Sequence, residues 1–257
     1  SLASIANPPH GAFTFDPSGG TSNILLMEKG NLYRFNTGEG LITLSASLPS
    51  VSDYAVLGAR ELTNGEVALV YKIRDGWYRM LQNYTLQSLG TISGTGYDAP
   101  PLSPVATYYG NRMWVLKNDL LYFSRAIPAV NASLSGYGTA FDTPTSVFNV
   151  PVGTEQALVG TRDKGILAFG SKEVWGVSPS AVPTATDIPT KILPIGCVSG
   201  KTVVQVGDDI FFLAKDGVRG LFRTQLDQLQ ANEAVPLSHL LKTEYDGVRF
   251  EVKKSEV

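Results

Sequence analysis

The pattern that organises this chain is Ile166-Leu-Ala-Phe-Gly-Ser-Lys-Glu-Val-Trp-Gly-Val177, in which a short polar turn separates two apolar runs. Four further stretches follow the same pattern, so that five copies begin at residues 24, 67, 113, 166 and 210. An apolar hairpin that recurs every forty-odd residues is typical of the blades of a β-propeller. We therefore expect an all-β, propeller-like fold of five to seven short antiparallel blades, with at most one short helical segment near the C-terminus.

The whole chain, residues 1–257, is expected to form a single propeller domain, because large all-β domains commonly reach this length as one unit. Its 26 glycines and 15 prolines fit many short strands joined by tight turns. The longest irregular stretch predicts a loop-rich insertion at about residues 126–145, between two blades.

Apolar runs of four or five residues within the copies predict strands that are buried on both faces. Stretches rich in proline and glycine at 90–104 and 178–194 predict connecting loops. Helical character is confined to 224–242, and alternating apolar and charged residues at 248–252 predict a last strand.

The net charge of −2 argues against a protein that holds nucleic acid by bulk attraction. No apolar run approaches the roughly 20 residues that span a bilayer, so we expect no membrane segment. The single cysteine, Cys197, excludes an internal disulfide and is interpreted as a core or strand-edge residue rather than a nucleophile. The tryptophans Trp77, Trp114 and Trp175 are interpreted as packing between blades.

Known catalytic and binding motifs are poorly matched. The run from Gly196 to Thr202 resembles a phosphate-binding loop, but it has three residues rather than four between its glycines and precedes a strand-like run. His10 and His239 are far apart and match no metal-ligand spacing, and no serine-nucleophile elbow occurs. We therefore predict no catalytic residue, no cofactor and no metal site, and hence a protein that is not an enzyme.

Five pieces of sequence follow one another between Leu121 and Leu221. They are Tyr122-Phe-Ser124, Val150-Pro-Val-Gly153, Gly165-Ile-Leu-Ala-Phe-Gly-Ser-Lys-Glu-Val-Trp-Gly176, Ile195-Gly-Cys-Val-Ser199 and Ile210-Phe-Phe-Leu-Ala-Lys-Asp-Gly-Val-Arg-Gly-Leu221. In this order they resemble the propeller-bearing tail hub and nozzle proteins of tailed bacteriophages, including the DNA-stabilisation proteins of short-tailed ones. The resemblance covers about 100 of the 257 residues.

The resemblance implies a structural virion protein of the phage tail that is assembled in the host cytoplasm. It implies a homo-oligomeric ring, commonly a hexamer, that contacts other tail or portal-adaptor proteins. Such a ring helps to retain packaged double-stranded DNA and then provides a passage for its ejection. A near-neutral charge is compatible with this role, because a conduit must let DNA slide rather than bind it tightly.

Basic residues in or beside the hairpins are the candidates for facing such a passage: Lys72, Arg74, Arg79, Arg112, Lys117 and Arg125. For any one of them, a solvated charge that discourages pairing at a strand edge is the simpler interpretation.

Two other functions remain open. A monomeric propeller for protein interaction or carbohydrate binding would repeat aromatic or acidic residues at equivalent loop positions. Trp77, Tyr122 and Trp175 lie near such positions, but the first and fifth copies do not continue the series. A hydrolase or lyase would need carboxylates that converge at a channel mouth.

Overall fold

The computed structural model describes slightly less than three fifths of the chain. The described backbone covers residues 11–15, 23–28, 31–36, 38, 40–45, 54–61, 67–73, 76–80, 86–88, 97–98, 101, 103, 105–110, 112–124, 141–142, 147–161, 165–180, 183, 187–229 and 237. Side chains are described at 23–26, 33–36, 38 and 40–41, and in the described part from 101 onward except at 141–142, 147 and 227–229.

Antiparallel sheets of three or four strands recur along the described chain, and within each of them the strands lie side by side in the order of the sequence. The first sheet contains β1 (Gly11–Phe15), β2 (Asn23–Glu28), β3 (Asn31–Asn36) and β4 (Gly40–Ser45). The second contains β5 (Tyr54–Glu61), β6 (Val67–Ile73), β7 (Gly76–Met80) and β8 (Leu86–Ser88). This succession of meanders is the propeller-like, all-β fold that the repeated hairpin predicts.

The later sheets continue the series. The third sheet contains β10 (Val105–Tyr109), β11 (Arg112–Lys117), β12 (Leu120–Phe123) and β14 (Val147–Asn149). Two further strands, β9 (Tyr97–Asp98) and β13 (Phe141–Asp142), pair with each other in a separate two-stranded sheet. In the sequence, β9 precedes β10, and β13 lies between β12 and β14. The fourth sheet contains β15 (Glu155–Thr161), β16 (Gly165–Gly170), β17 (Val174–Val177) and β18 (Thr190–Leu193). The fifth has three strands in the described chain, β19 (Val204–Val206), β20 (Asp209–Ala214) and β21 (Gly217–Gly220), and the helix α1 (Leu221–Leu229) follows it. The predicted helical segment is therefore present and begins three residues earlier than expected.

The chain divides into two compact units. The first comprises residues 1–115 and 122–146, and the second comprises residues 116–121 and 147–257. The first and second sheets belong to the first unit, whereas the fourth and fifth sheets and α1 belong to the second. A single domain over the whole chain stays a prediction.

Two of the predicted loops contain strands. Residues 90–104 and the insertion at 126–145 were expected to be irregular, but Tyr97 pairs with Asp142 and Asp98 with Phe141. The expectation of a loop was wrong at these positions. Proline prevents strand pairing only where it lies within a ladder, and this two-residue ladder ends before Pro100.

The connection at 178–194 was also expected to be irregular, and it contains β18. This strand pairs with β17 as the last strand of the fourth sheet. Pro189 and Pro194 flank it rather than interrupt it, and an edge strand tolerates proline at its ends. The predicted strand at 248–252 lies outside the described residues.

The core of the second unit lies between the fourth and fifth sheets. Leu167 and Phe169 of β16 are buried against Ile210 and Phe212 of β20, and the Phe169 and Phe212 rings meet edge to face with their centroids 5.4 Å apart. All six residues of β16 are buried, which confirms the prediction of a strand covered on both faces. In β20 buried and half-buried residues alternate, so only one of its faces is fully covered.

Trp114 is buried and packs within its own sheet, so the packing between blades that was predicted for the tryptophans stays a prediction. The Trp114 side chain is buried in the first unit, and its ring lies 5.1 Å from that of Phe123 in the same sheet. Its indole N–H donates to the Tyr109 carbonyl over 3.1 Å. Trp175 is half-buried, and the side chain of Trp77 lies outside the described residues.

Candidate functional site

Loops of the second unit are joined by hydrogen bonds at the tip of the β11–β12 hairpin. Asn118 and Asp119 both adopt left-handed backbone conformations, with φ of 52° and 60°, as a two-residue hairpin turn requires. The Asp119 carbonyl accepts from the Val150 amide over 2.7 Å, and its Oδ1 accepts from the Gly153 amide over 3.0 Å. Its own amide donates to Glu155 Oε1 over 3.2 Å. The tip is thereby tied to the segment that leads into the fourth sheet.

The tip of the β16–β17 hairpin is tied to its surroundings in the same way. Ser171 exchanges two bonds with Thr154: its amide donates to the Thr154 carbonyl over 2.8 Å, and its Oγ accepts from the Thr154 amide over 3.2 Å. The Cys197 amide donates to the Gly170 carbonyl over 2.9 Å. A Cβ added at Gly196 would collide with that same carbonyl, so only glycine fits there. These loops form one continuous hydrogen-bonded surface.

The run that resembles a phosphate-binding loop belongs to this surface and serves the fold. A three-residue 3₁₀ helix begins at Gly200, and β19 follows it in place of the α-helix that a phosphate site needs. A Cβ at Gly200 would collide with the Gln156 carbonyl. The Thr202 hydroxyl donates to the Ser199 carbonyl over 2.6 Å. Close backbone contact therefore explains the glycine without a ligand.

The Glu173 carboxylate lies at the end of the fourth sheet between two donors. Lys191 Nζ donates to its Oε1 and Trp175 Nε1 donates to its Oε2, each over 2.9 Å. These bonds, first that from Lys191 and then that from Trp175, hold the pKa of Glu173 below its ordinary value. Glu173 therefore stays ionised near neutral pH and is unsuited to act as a general acid there.

Two aspartates of the fifth sheet are held by structural partners. Asp209 Oδ1 accepts from the Ile210 amide over 2.7 Å and from the Phe222 amide over 3.1 Å, which satisfies an N–H group in the first turn of α1. Asp216 pairs with the buried guanidinium of Arg219, whose Nε lies 3.1 Å from its Oδ1. These carboxylates stabilise the helix start and the hairpin turn.

The described side chains offer little for metal or thiol chemistry. Within the described residues, no group of three or more His, Cys, Asp or Glu side chains is placed to hold a metal ion. Cys197 is buried in the core between the fourth and fifth sheets, and this burial raises the pKa of its thiol to about 12. This burial confirms the interpretation of Cys197 as a core residue. A thiol with a raised pKa is also a poor nucleophile near neutral pH.

None of the helices that the structure describes is both long enough and apolar enough to cross a membrane.

Four of the six candidate basic residues lie wholly or partly outside the described residues. Lys72 pairs with Trp77 in the β6–β7 ladder, and Arg79 pairs with Val70 there, but their side chains are not described. Arg74 and Arg125 lie outside the described residues altogether. Whether any of these residues faces a passage stays a prediction.

The two described candidates are in different units and have different environments. Arg112 is 9% exposed in the first unit, where its Nη1 donates to the Ser124 carbonyl over 2.8 Å and its guanidinium lies 5.9 Å from the centre of the Phe123 ring. That guanidinium is engaged inside the protein, so we no longer count it among the candidates for contacting DNA. Lys117 is half-buried in the second unit, one residue before the β11–β12 turn. Arg112 is therefore a buried structural residue, and whether Lys117 faces a passage stays a prediction.

Exposed apolar residues on the fifth sheet are a feature that the sequence-based prediction missed. Val204, Val206 and Val218 are 52%, 58% and 40% exposed, although strands buried on both faces were expected. No local signal could have revealed them, because an alternating Val-Gln-Val strand predicts buried valines and a solvated glutamine, whereas all three residues are exposed.

No protein-family model and no curated protein sequence matches the chain. Among solved structures, a catalytically inactive virginiamycin B lyase from Staphylococcus aureus with quinupristin is similar over 84% of this chain and 68% of that one, at 14% identity and a TM-score of 0.49. A streptogramin B lyase is similar over 84% and 70%, at 11% identity and a TM-score of 0.47. The extracellular domain of a one-component system from B. thetaiotaomicron is similar over 85% and 32%, at 12% identity and a TM-score of 0.47. These similarities carry no argument about what this chain does.

Proposed function

We propose that this chain is a structural subunit of a bacteriophage tail, of the hub or nozzle type. In this role it assembles into an oligomeric ring, contacts other tail or portal-adaptor proteins, helps to retain packaged DNA and provides a passage for its ejection. We also propose that it acts without catalysis and without a cofactor. The observation that carries the proposal is that polar groups at the loop surface of the second unit bond to the chain itself, whereas apolar side chains face outward on the fifth sheet.

Four of the five pieces of sequence that carry the resemblance to tail hub proteins, the second to the fifth, touch one another. A Cβ at Gly170, in the third piece, would collide with the Val152 carbonyl in the second. The Cys197 amide of the fourth piece bonds to Gly170, and the Val198 amide bonds to the Leu213 carbonyl of the fifth over 2.8 Å. A shared order of pieces that build one contact network supports a shared architecture rather than a chance match of short motifs.

The environments of the reactive groups support the absence of catalysis. Asp119, Asp209 and Asp216 accept from backbone amides or from a buried guanidinium, and Glu173 is held ionised by two donors. Catalytic carboxylates are usually set apart by raised or divided pKa values. The pKa of Glu173 is instead lowered, and the three aspartates hold backbone amides or a buried guanidinium in place.

Single-particle imaging of the purified chain, and of particles that contain it, tests the proposed function. We expect a ring of several copies around a central passage wide enough for a B-form DNA duplex. A monomer at every concentration, with one occluded channel, would contradict the proposal. That result would favour the alternative of a monomeric module for protein interaction or carbohydrate binding.

A further inference from the structure

The turn between β20 and β21 contains an aspartate that is followed by a glycine, Asp216-Gly217. Ala214 and Gly217 form the last pair of the ladder, so Lys215 and Asp216 lie at the tip of the hairpin. The φ of Gly217 is 139°, a conformation that residues with a side chain rarely adopt, so this turn requires glycine. The Asp216 side chain is 51% exposed. The fold therefore fixes an Asp-Gly dipeptide at an exposed position.

An Asp-Gly dipeptide is chemically labile. The Gly217 nitrogen can attack the side-chain carboxyl carbon of Asp216, which forms a C–N bond, while the proton of the nitrogen and a hydroxyl group of the carboxyl leave as water. Water then opens the resulting five-membered succinimide at either carbonyl and gives aspartate or isoaspartate. Glycine favours the attack, since it has no side chain to shield its nitrogen and leaves the backbone free to bend. In isoaspartate the backbone runs through the side-chain carbon and is one atom longer.

Arg219 holds both oxygens of the carboxylate that would have to react. Its Nε donates to Asp216 Oδ1 over 3.1 Å, and its Nη2 donates to Oδ2. Such a two-pronged contact between planar groups fixes the orientation of the carboxylate as well as its position. Cyclisation needs the carboxyl carbon to approach the Gly217 nitrogen and one carboxyl oxygen to leave. The contact with Arg219 opposes both steps.

The contact is costly to break because Arg219 is buried and has no other partner. The residue is 4% exposed and lies opposite Phe212 in the ladder, whose side chain is in the core. Every hydrogen bond that the structure describes for its guanidinium goes to Asp216, and within the described chain its Nη1 has no partner. Release of Asp216 would leave a buried charge without compensation, which is strongly unfavourable.

We infer that Asp216 is a latent isoaspartate site that the contact with Arg219 keeps closed in the folded chain. An opening of this hairpin that frees Asp216 permits the rearrangement. The isoaspartate that forms displaces the carboxylate and lengthens the turn, so it no longer matches Arg219 and refolding does not reverse the change. The inference does not depend on the proposed function, because it concerns the chemistry of one turn.

Rates of isoaspartate formation test the inference. The folded chain and a peptide that contains its residues 212–220 are incubated at neutral pH, and peptide mapping with electron-transfer fragmentation quantifies isoaspartate over time. We expect Asp216 to convert more slowly in the folded chain than in the peptide by roughly tenfold or more, since the hairpin must open first. Equal rates in the chain and the peptide would overturn the inference.

Substitution of Arg219 separates the contact from the turn itself. Arg219→Met keeps an unbranched apolar stem and removes the donors. It should accelerate conversion at Asp216 by about tenfold, the factor that the loss of one charge-assisted hydrogen bond corresponds to. The dipeptides Asp75-Gly76 and Asp246-Gly247 in the same chain should keep their rates. An unchanged rate at Asp216 in a folded variant would overturn the inference.

Two further variants serve as controls. Lys215→Gln removes a charge from the exposed neighbour of Asp216 and should leave the rate unchanged. Equal acceleration in Lys215→Gln and Arg219→Met would assign the effect to net charge and overturn the inference. If Arg219→Met unfolds, which thermal melts and a rise at all three Asp-Gly sites would show, Arg219→Lys retains the charge with a single donor nitrogen. It should then give an intermediate rate at Asp216 alone, and no acceleration there would overturn the inference.

Discussion

The fourth and fifth sheets share one hairpin pattern and differ in how much of them the chain covers. Every residue of β16 in the fourth sheet is buried, whereas every residue of β19 in the fifth is exposed. The pattern of apolar runs and polar turns therefore determines which strands pair. Whether a face is covered depends on which other element packs against it, and the hairpin pattern does not specify that element.

The loops around the two sheets account for part of this difference. The fourth sheet has four strands, and its hairpin tip bonds to Thr154 on one side and to Cys197 on the other. The fifth sheet has three strands in the described chain, and the chain continues from β21 directly into α1. The Leu237 amide returns to donate to the Val218 carbonyl over 2.8 Å, at the edge of that sheet. Within the described residues, the fifth sheet is therefore contacted by the fourth sheet, by α1 and by Leu237.

The largest expected difference between the sheets concerns their apolar side chains. Phe169→Ala should lower the free energy of unfolding by about 3–5 kcal/mol, because it removes a fully buried ring from the core. Val206→Ala should change it by no more than about 0.5 kcal/mol, because that side chain is already largely in water. Urea denaturation of the two variants under conditions that keep the chain monomeric measures both values. Similar losses would show that the fifth sheet is covered as fully as the fourth.

A smaller effect is expected where backbones approach closely. Gly196→Ala should cost about 3 kcal/mol, because the added methyl group meets the Gly170 carbonyl, which cannot move without disturbing the hairpin tip. Gly207→Ala, in the β19–β20 turn, is the control. A methyl group at Gly207 would meet no neighbouring atom, so only the left-handed φ of +60° disfavours alanine there. We expect Gly207→Ala to lower the free energy of unfolding by about 1 kcal/mol. The reverse order of the two losses would contradict the close contact at Gly196.

The hydrogen bonds of the β11–β12 tip should contribute less again. Asp119→Ala should cost about 1–2 kcal/mol through the lost bond to the Gly153 amide. Asp119→Asn should recover most of this, because asparagine keeps an acceptor and tolerates the left-handed conformation. The exposed Asp208 of the fifth sheet provides a control, since Asp208→Ala should change stability by less than about 0.5 kcal/mol. Chemical denaturation compares the three, and no recovery in the asparagine variant would contradict the assigned bond.

The smallest effect concerns the pH dependence of the fourth sheet. The pKa of Glu173 is lower in the folded chain than in the unfolded chain, so its contribution is present above the unfolded value and lost as pH falls through the folded value. Glu173→Gln should cost about 0.5 kcal/mol at pH 7 because the pair with Lys191 is partly exposed, and the difference should vanish in acid. Thermal melts from pH 7 downward measure it, with the exposed Lys201→Gln as the control. A difference that grows in acid would contradict the assignment.

The strand pairing within single hairpins could be predicted from the sequence, but longer-range features could not. The hairpin at 166–177 became β16 and β17 because its apolar runs and its turn are local signals. The bonds from Asp119 to Gly153 and Glu155 join residues 34 and 36 positions apart, and no local signal encodes them. β18 was missed because its prolines flank it rather than interrupt it, as the structure shows.

The candidate basic residues illustrate the same limit. A basic residue in a hairpin is expected in solvent, and Lys117 fits that expectation in part because it is half-buried. Arg112 instead lies over an aromatic ring and bonds to a carbonyl, an environment that depends on Phe123 and Ser124. The exposure of Val204, Val206 and Val218 was missed for a related reason: the sequence specifies apolar side chains but not which of them the fold buries.

Hydrogen–deuterium exchange of the folded chain tests the central claim most directly. Both β16 and β20 are flanked by hydrogen-bonded strands on each side, so they differ mainly in how far their faces are covered. The account predicts that amides of β16, whose residues are all buried, exchange more slowly than amides of β20, which has only one fully covered face. Equal exchange in the two strands would contradict the claim that the chain covers the fourth sheet more fully than the fifth.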